Sequence, residues 1–232
     1  MKSNKTVFGG FIMMIAIFTI ANLIGRIISL PSGFIPSSFI VHSTMLLFSI
    51  LTIWIMNKEL NFHIALPKFK KLIKPFLIGV IITFIVNIPM NIITTLMNGK
   101  VTPHPILLKL NFLQTFLFVF LLASIAEEFL FRGFFQNALK KWSNKGITIL
   151  KCRFSLPVII SAISFGLAHL ILIFDGVDYL FLIRIVLFTS ILGLAAGYYQ
   201  EKQENNTAFA IIVHMGGNLL GVLSAIFINI HP

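Results

Sequence analysis

Seven continuous apolar runs divide the chain: Val7 to Leu30, Phe39 to Met56, Phe76 to Met97, Phe112 to about Ala138, Leu156 to Phe174, Tyr179 to Tyr199, and Ala208 to Ile230. At ~1.5 Å of rise per residue, a helix over each reaches across a hydrocarbon core roughly 30 Å thick. None shows the strict alternation of an outer-membrane barrel strand, so the runs read as helices. The first follows Lys2 and Lys5 as a signal peptide would. It is longer than a signal core and lacks a clear small-residue cleavage site, which makes it an uncleaved span. The pattern predicts an all-α protein, a polytopic transmembrane helix bundle of about seven spans. Within that single domain, residues 1–110 supply N-terminal spans and a basic juxtamembrane segment, and residues 111–232 a four-helix core.

Composition agrees with lipid as the solvent. Hydrophobic residues make up 57% of the 232 and charged ones 11%, with 25 Phe against seven acidic residues. That is too little polar surface to coat a water-facing globule, and soluble-enzyme classes are excluded. The net charge of +11 raises the question of a nucleic-acid partner, which the location of the cations answers. Lys2 and Lys5, then Lys58, Lys68, Lys70, Lys71 and Lys74, then Lys140, Lys141, Lys145, Lys151 and Arg153, and finally Lys202 fall in alternate loops; only Lys100 and Lys109 fall between them. The positive-inside rule turns this asymmetry into topology: a multi-pass cell-membrane protein, N-terminus cytoplasmic and C-terminus external, with the bilayer and not nucleic acid as partner. Leu60 to Pro75 interleaves Phe62, Ile64, Leu66, Phe69, Leu72 and Ile73 with lysines, so it is expected along the cytoplasmic headgroups. Cys152 stands alone and forms no internal disulfide.

An ionisable side chain near the bilayer centre costs at least ~2.5 kcal/mol on insertion scales, so each one inside a span is a functional candidate. Arg26 and Arg184 lie near span ends and can snorkel, and His42, beside Ser43 and Thr44, is left outside the site. Three clusters remain. Glu128 and Arg132 in span four are four apart, share a helix face and form a pair that offsets burial. Glu127 is turned about 100° away and needs a different partner or a shifted ionisation, either of which suits a general base. His169 ends the stretch Phe165-Gly-Leu-Ala-His169 in span five. His214 and Asn218 in span seven share a face at i, i+4, and both can donate to a developing oxyanion. Gly193 with Gly197 and Gly217 with Gly221 are small-xxx-small pairs that predict close packing of spans four to seven. Reckoned from the cytoplasmic ends at ~1.5 Å per residue, Glu127, His169 and His214 all lie roughly 10 to 21 Å deep.

The series Glu127-Glu128-Phe-Leu-Phe-Arg132, Phe165-Gly-Leu-Ala-His169 and His214-Met-Gly-Gly-Asn218, in order and one per span, resembles the CPBP family of intramembrane proteases. That family comprises the CAAX prenyl endopeptidases and the bacterial bacteriocin-processing and immunity relatives, also called Abi. The resemblance covers roughly residues 112 to 230. It implies that Glu127 and His169 activate the attacking water, that His214 and Asn218 hold the oxyanion, and that Glu128 and Arg132 support the site. The implied activity is endopeptidase cleavage of a membrane-associated peptide or protein. The small size and basic loops suit a bacterial member, for which no prenylated substrate is expected.

Other membrane-protease signatures are missing: the chain has no His-Glu-x-x-His, no Gly-x-Gly-Asp and no Gly-x-Ser-x-Gly. No cofactor is expected, because Asn is a poor zinc ligand and suits an oxyanion site. Zinc held by Glu127, His169 and His214 is the alternative mechanism. Outside enzymes, the competing readings are a catalytically idle relative that binds a peptide or confers bacteriocin immunity, and a transporter using Glu and His as a proton relay. Intact motifs argue against the first, and the lack of interrupted half-repeats against the second.

Overall fold

The structure is a computed structural model that describes residues 2–28, 30, 33–99 and 109–230. Among these, seven helices are long and apolar enough to cross a membrane. They are α1 (Lys2–Ile27), α2 (Ser37–Ile55), α3 (Phe69–Asn98), α4 (Phe112–Gln136), α5 (Leu156–Asp175), α6 (Tyr179–Lys202) and α7 (Thr207–Ile230). The predicted all-α bundle of seven spans is the observed one, with one addition. Between α4 and α5 a hairpin pairs β1 (Gly146–Ile149) antiparallel with β2 (Cys152–Ser155). Ile147, Ile149, Cys152 and Phe154 share one face, and Phe154 leans on the Tyr198 ring of α6 at 5.5 Å. Leu150 and Lys151 turn the hairpin at positive φ.

Helix ends follow from local chemistry. Asn111 and Gln114 form a reciprocal capping box at the start of α4. Ser155 accepts from the Val158 amide to begin α5, with Pro157 in the first turn, and Asp178 accepts from the Leu180 and Phe181 amides to begin α6. The last stretch of α5, His169–Asp175, tightens to a 3-10 helix and ends at Gly176 with φ 71.

α3 begins at Phe69, seven residues before the apolar run that marks it in the sequence. Lys70, Lys71 and Lys74 therefore ride on its first turns, and the segment expected along the headgroups is divided. Leu60 is buried and Phe62 packs against Phe129, the ring centroids 5.7 Å apart. The Thr207 amide donates to His63 O at 2.9 Å, and the Asn206 carboxamide bonds both the N–H and the C=O of Ala65. These bonds strap residues 60–65 across one end of the bundle, at the start of α7, because an extended backbone must place its polar groups somewhere. Leu66 and Phe69, by contrast, face outward.

In lipid, helices associate through close packing and polar contacts more than through exclusion of water. One close crossing is α3 on α7: a Cβ on Gly79 would strike the Val213 and Gly217 backbone, and one on Gly216 would strike Phe76 O. Thr83 Oγ1 fastens the crossing by donating to Gly217 O at 3.0 Å. Leu130, Phe131, Phe134 and Phe135 of α4 pack into Met14 and Ile17 of α1, Met45 and Ile53 of α2, and Phe165 of α5. α4 is thus the central helix. Its winding widens to i→i+5 over Thr115–Ala123 and again over Phe129–Gln136, leaving one α-helical turn, Ser124–Glu128, between. Widened turns of this kind are frequent at functional sites, and these two flank the α-helical turn that carries both glutamates.

Candidate active site

The α-helical turn of α4 projects Glu127 and Glu128 in different directions, as consecutive helical residues must. Glu128 is sealed, with 1% of its side chain exposed, and Arg132 is fully covered. Arg132 NH1 donates to Glu128 Oε1 at 3.0 Å, so the i, i+4 pair expected from the sequence forms. The same oxygen meets His214 Nδ1 at 2.8 Å. Since a carboxylate already receiving an arginine N–H is an acceptor, His214 Nδ1–H is the donor, and the ring is held with Nε2 turned the other way. Room for the guanidinium comes from Gly193 of α6, where a Cβ would collide with NH2. Phe165 covers the remaining face, its centroid 4.5 Å from the Arg132 guanidinium carbon.

Glu127 is more open, with 16% of its side chain exposed. It does have a partner, and that partner is the histidine set aside in the sequence reading: His42 Nε2 of α2 lies 3.2 Å from Glu127 Oε1. The other oxygen, Oε2, faces His214 Nε2 at 3.7 Å. One carboxylate is therefore flanked by two imidazoles from two other helices. His42 was visible in the sequence as an ionisable group inside a span, but nothing along the chain tied α2 to α4.

His169 stands where α5 changes from α to 3-10 winding. Its Nδ1 donates to Phe165 O at 3.0 Å, an acceptor only, so Nε2 is the nitrogen with a free lone pair. The rings of His169 and His214 both meet Phe165 edge-on, with centroids 5.2 and 5.4 Å away. Phe165 is thus the spacer that brings α5 and α7 to one depth. Asn218, one turn beyond His214, faces α4: its amide nitrogen donates to Ser124 Oγ at 3.1 Å and Val119 O at 3.3 Å. In this geometry it ties α7 to the turn bearing the glutamates and makes no hydrogen bond to His214 or Glu127.

The structure thus gathers Glu127, Glu128, Arg132 and His214 in direct contact, brings His169 alongside through Phe165, and sets Asn218 behind. Residues that sequence reasoning did not single out for the site are His42, Ser124 and Phe165. Gly193, read there as a helix-packing position, does lie close against Ala162 of α5 and also makes space for Arg132. Among the described residues, no group of three His, Cys, Asp or Glu side chains has the arrangement that holds a metal ion.

Residues 109–220 match the family model of the type II CAAX prenyl endopeptidase Rce1-like proteins. No curated protein and no solved structure matches the chain. The matched stretch contains all three motifs and α4 through most of α7, and the helices around it are apolar and span-length. On these grounds residues 109–220 form a stretch of the CPBP family of CAAX-type intramembrane endopeptidases, carried in a multi-pass membrane protein.

Proposed function

We propose that this protein hydrolyses a peptide bond in a membrane-associated peptide or protein, with Glu127 as the general base. One observation carries the reading. Glu127 Oε2 and His214 Nε2 are 3.7 Å apart, too far for a direct hydrogen bond, but a water ~2.8 Å from each closes the triangle. That water sits against the more accessible of the two carboxylates, which is where a hydrolytic water is needed. As it attacks the carbonyl carbon, its proton passes to Glu127, with the free His169 Nε2 as the second acceptor nearby. His214, fixed through Nδ1 on Glu128, turns Nε2 toward the carbonyl oxygen and in its doubly protonated form donates to the oxyanion. Asn218 assists when it releases its longer bond, to Val119 O. Collapse of the tetrahedral intermediate breaks the C–N bond, and Glu127 returns the proton to the leaving nitrogen. No cofactor is required. The N-terminus is cytoplasmic and the C-terminus external, so reporters fused after Lys74 and Lys151 read cytoplasmic and one after Pro232 reads external.

The test is cleavage of membrane-anchored reporter peptides, unmodified and prenylated, by protein reconstituted in lipid vesicles, read by mass spectrometry. Wild type cleaves and Glu127→Gln does not. Equal behaviour of the two would refute the peptidase reading and leave peptide binding without catalysis.

A further inference from the structure

His42 lies outside the stretch that the family model matches, on a helix that carries no recognised motif, yet it makes the only hydrogen bond to Glu127 among the described residues. The three site histidines are held in different ways. His214 Nδ1 rests on Glu128, and His169 Nδ1 on a backbone carbonyl. His42 Nδ1 is buried with no hydrogen-bond partner among the described residues, so the ring's one polar contact is Glu127. A histidine retained for packing alone has no need of a nitrogen aimed at a carboxylate, and one retained as structural glue normally satisfies both nitrogens.

The packing fixes where the ring can go. His42 shares a face of α2 with Met45, Ser49 and Thr52, and all three of these are buried toward the bundle. Its side chain and that of Glu127 are comparably open, at 14% and 16%, so the pair borders the accessible part of the site and not the sealed cage around Glu128. Because the carboxylate accepts, the proton sits on His42 Nε2 and is donated to Oε1. That bond selects one rotamer of the carboxylate: Oε1 is occupied, and Oε2 is left facing His214 and the space for water.

We infer that His42 is a positioning residue of the active site, which orients the Glu127 carboxylate so that Oε2 and not Oε1 takes the proton of water. This rests on the assignment of Glu127 as the base. The role is geometric, so losing it lowers turnover and leaves substrate binding largely as it was, since a misplacement of about 1 Å at the reacting atoms can cost ~10²-fold.

The experiment compares His42→Ala, His42→Gln and His42→Asn with wild type and Glu127→Gln in the same vesicles, using the membrane-anchored reporter peptides. Glutamine places an N–H close to where Nε2 was, whereas asparagine places it one atom short. The expected result is a kcat about 10- to 100-fold lower for His42→Ala with KM little changed, most of the rate recovered by His42→Gln, and no recovery by His42→Asn. A merely structural role would not separate Gln from Asn in kcat while all variants accumulate and melt alike. Should His42→Ala fail to accumulate, the Gln and Asn pair decides the matter alone. A wild-type rate well above Glu127→Gln but equal to His42→Ala or to His42→Asn overturns the role of His42 and leaves the base in place. A wild-type rate equal to Glu127→Gln removes the base and the role of His42 together.

Discussion

Glu127 and Glu128 are adjacent in the chain and belong to different worlds. Glu128 is held by an imidazole and by an arginine that the Phe165 ring covers, and its contacts are short. Glu127 keeps an edge open, touches one imidazole at hydrogen-bond distance and stands off another by 3.7 Å. Burial against a cation and an imidazole yields a rigid part of the scaffold, while looser pairing at an open edge yields a group that can exchange a proton with water. Two identical side chains acquire two environments because one helical step turns them about 100° apart, into different neighbours.

The comparison breaks most sharply at the open acid. Glu127→Gln is expected to lower turnover by ~10² to 10⁴ with normal abundance in the membrane, since loss of a general base removes a transition-state contribution and no structural bond of the cage. Near-wild-type cleavage by this variant would place the base elsewhere. The sealed acid responds in the opposite manner. Arg132→Ala leaves Glu128 buried without its cation, at ~3 to 5 kcal/mol, and should appear as low abundance and a lower Tm in detergent. Replacing both with glutamine should recover part of that abundance, and the absence of any recovery would show that the pair does not hold the cage.

A smaller effect is expected from Gly193→Ala, whose new methyl group meets the Arg132 guanidinium. Overpacking of this kind costs ~1 to 3 kcal/mol, and combined with Arg132→Ala the two losses should fall short of additive, because the second variant removes what the first strikes. Thermal melts of the two single variants and the double variant read this directly. Last, chelation followed by detergent exchange should leave the turnover of active protein unchanged. One tightly held zinc per chain, with activity lost on its removal and restored on its return, would make Glu127, His169 and His214 ligands and overturn the proposed roles.

How much was legible along the chain depended on range. The Glu128–Arg132 pair was readable because both ends lie on one helix at i, i+4, and His169 was singled out by its motif. The Asn218 contacts with Ser124 and Val119 were not, since they join residues about a hundred positions apart, and the carboxamide looked equally suited to an oxyanion. The hairpin escaped notice because its four-residue strands hide in a short basic loop, where the alternation Ile147-Thr148-Ile149 is too brief to stand out.

Apolar periodicity and the burial penalty of charge in lipid are local properties, so the sequence alone determined seven helical spans, the identity of the deep polar residues and the family to which their spacing belongs. Which of these groups meet is a property of how the helices cross. Only the tertiary structure decided that α2 carries a histidine to Glu127, that Gly193 opens the space for Arg132, and that a crossing built on Gly79 and Gly216 brings α3 against the helix of His214. Contacts between helices depend on the rotation and depth of each helix relative to its neighbours, and no residue's own position in the chain records either.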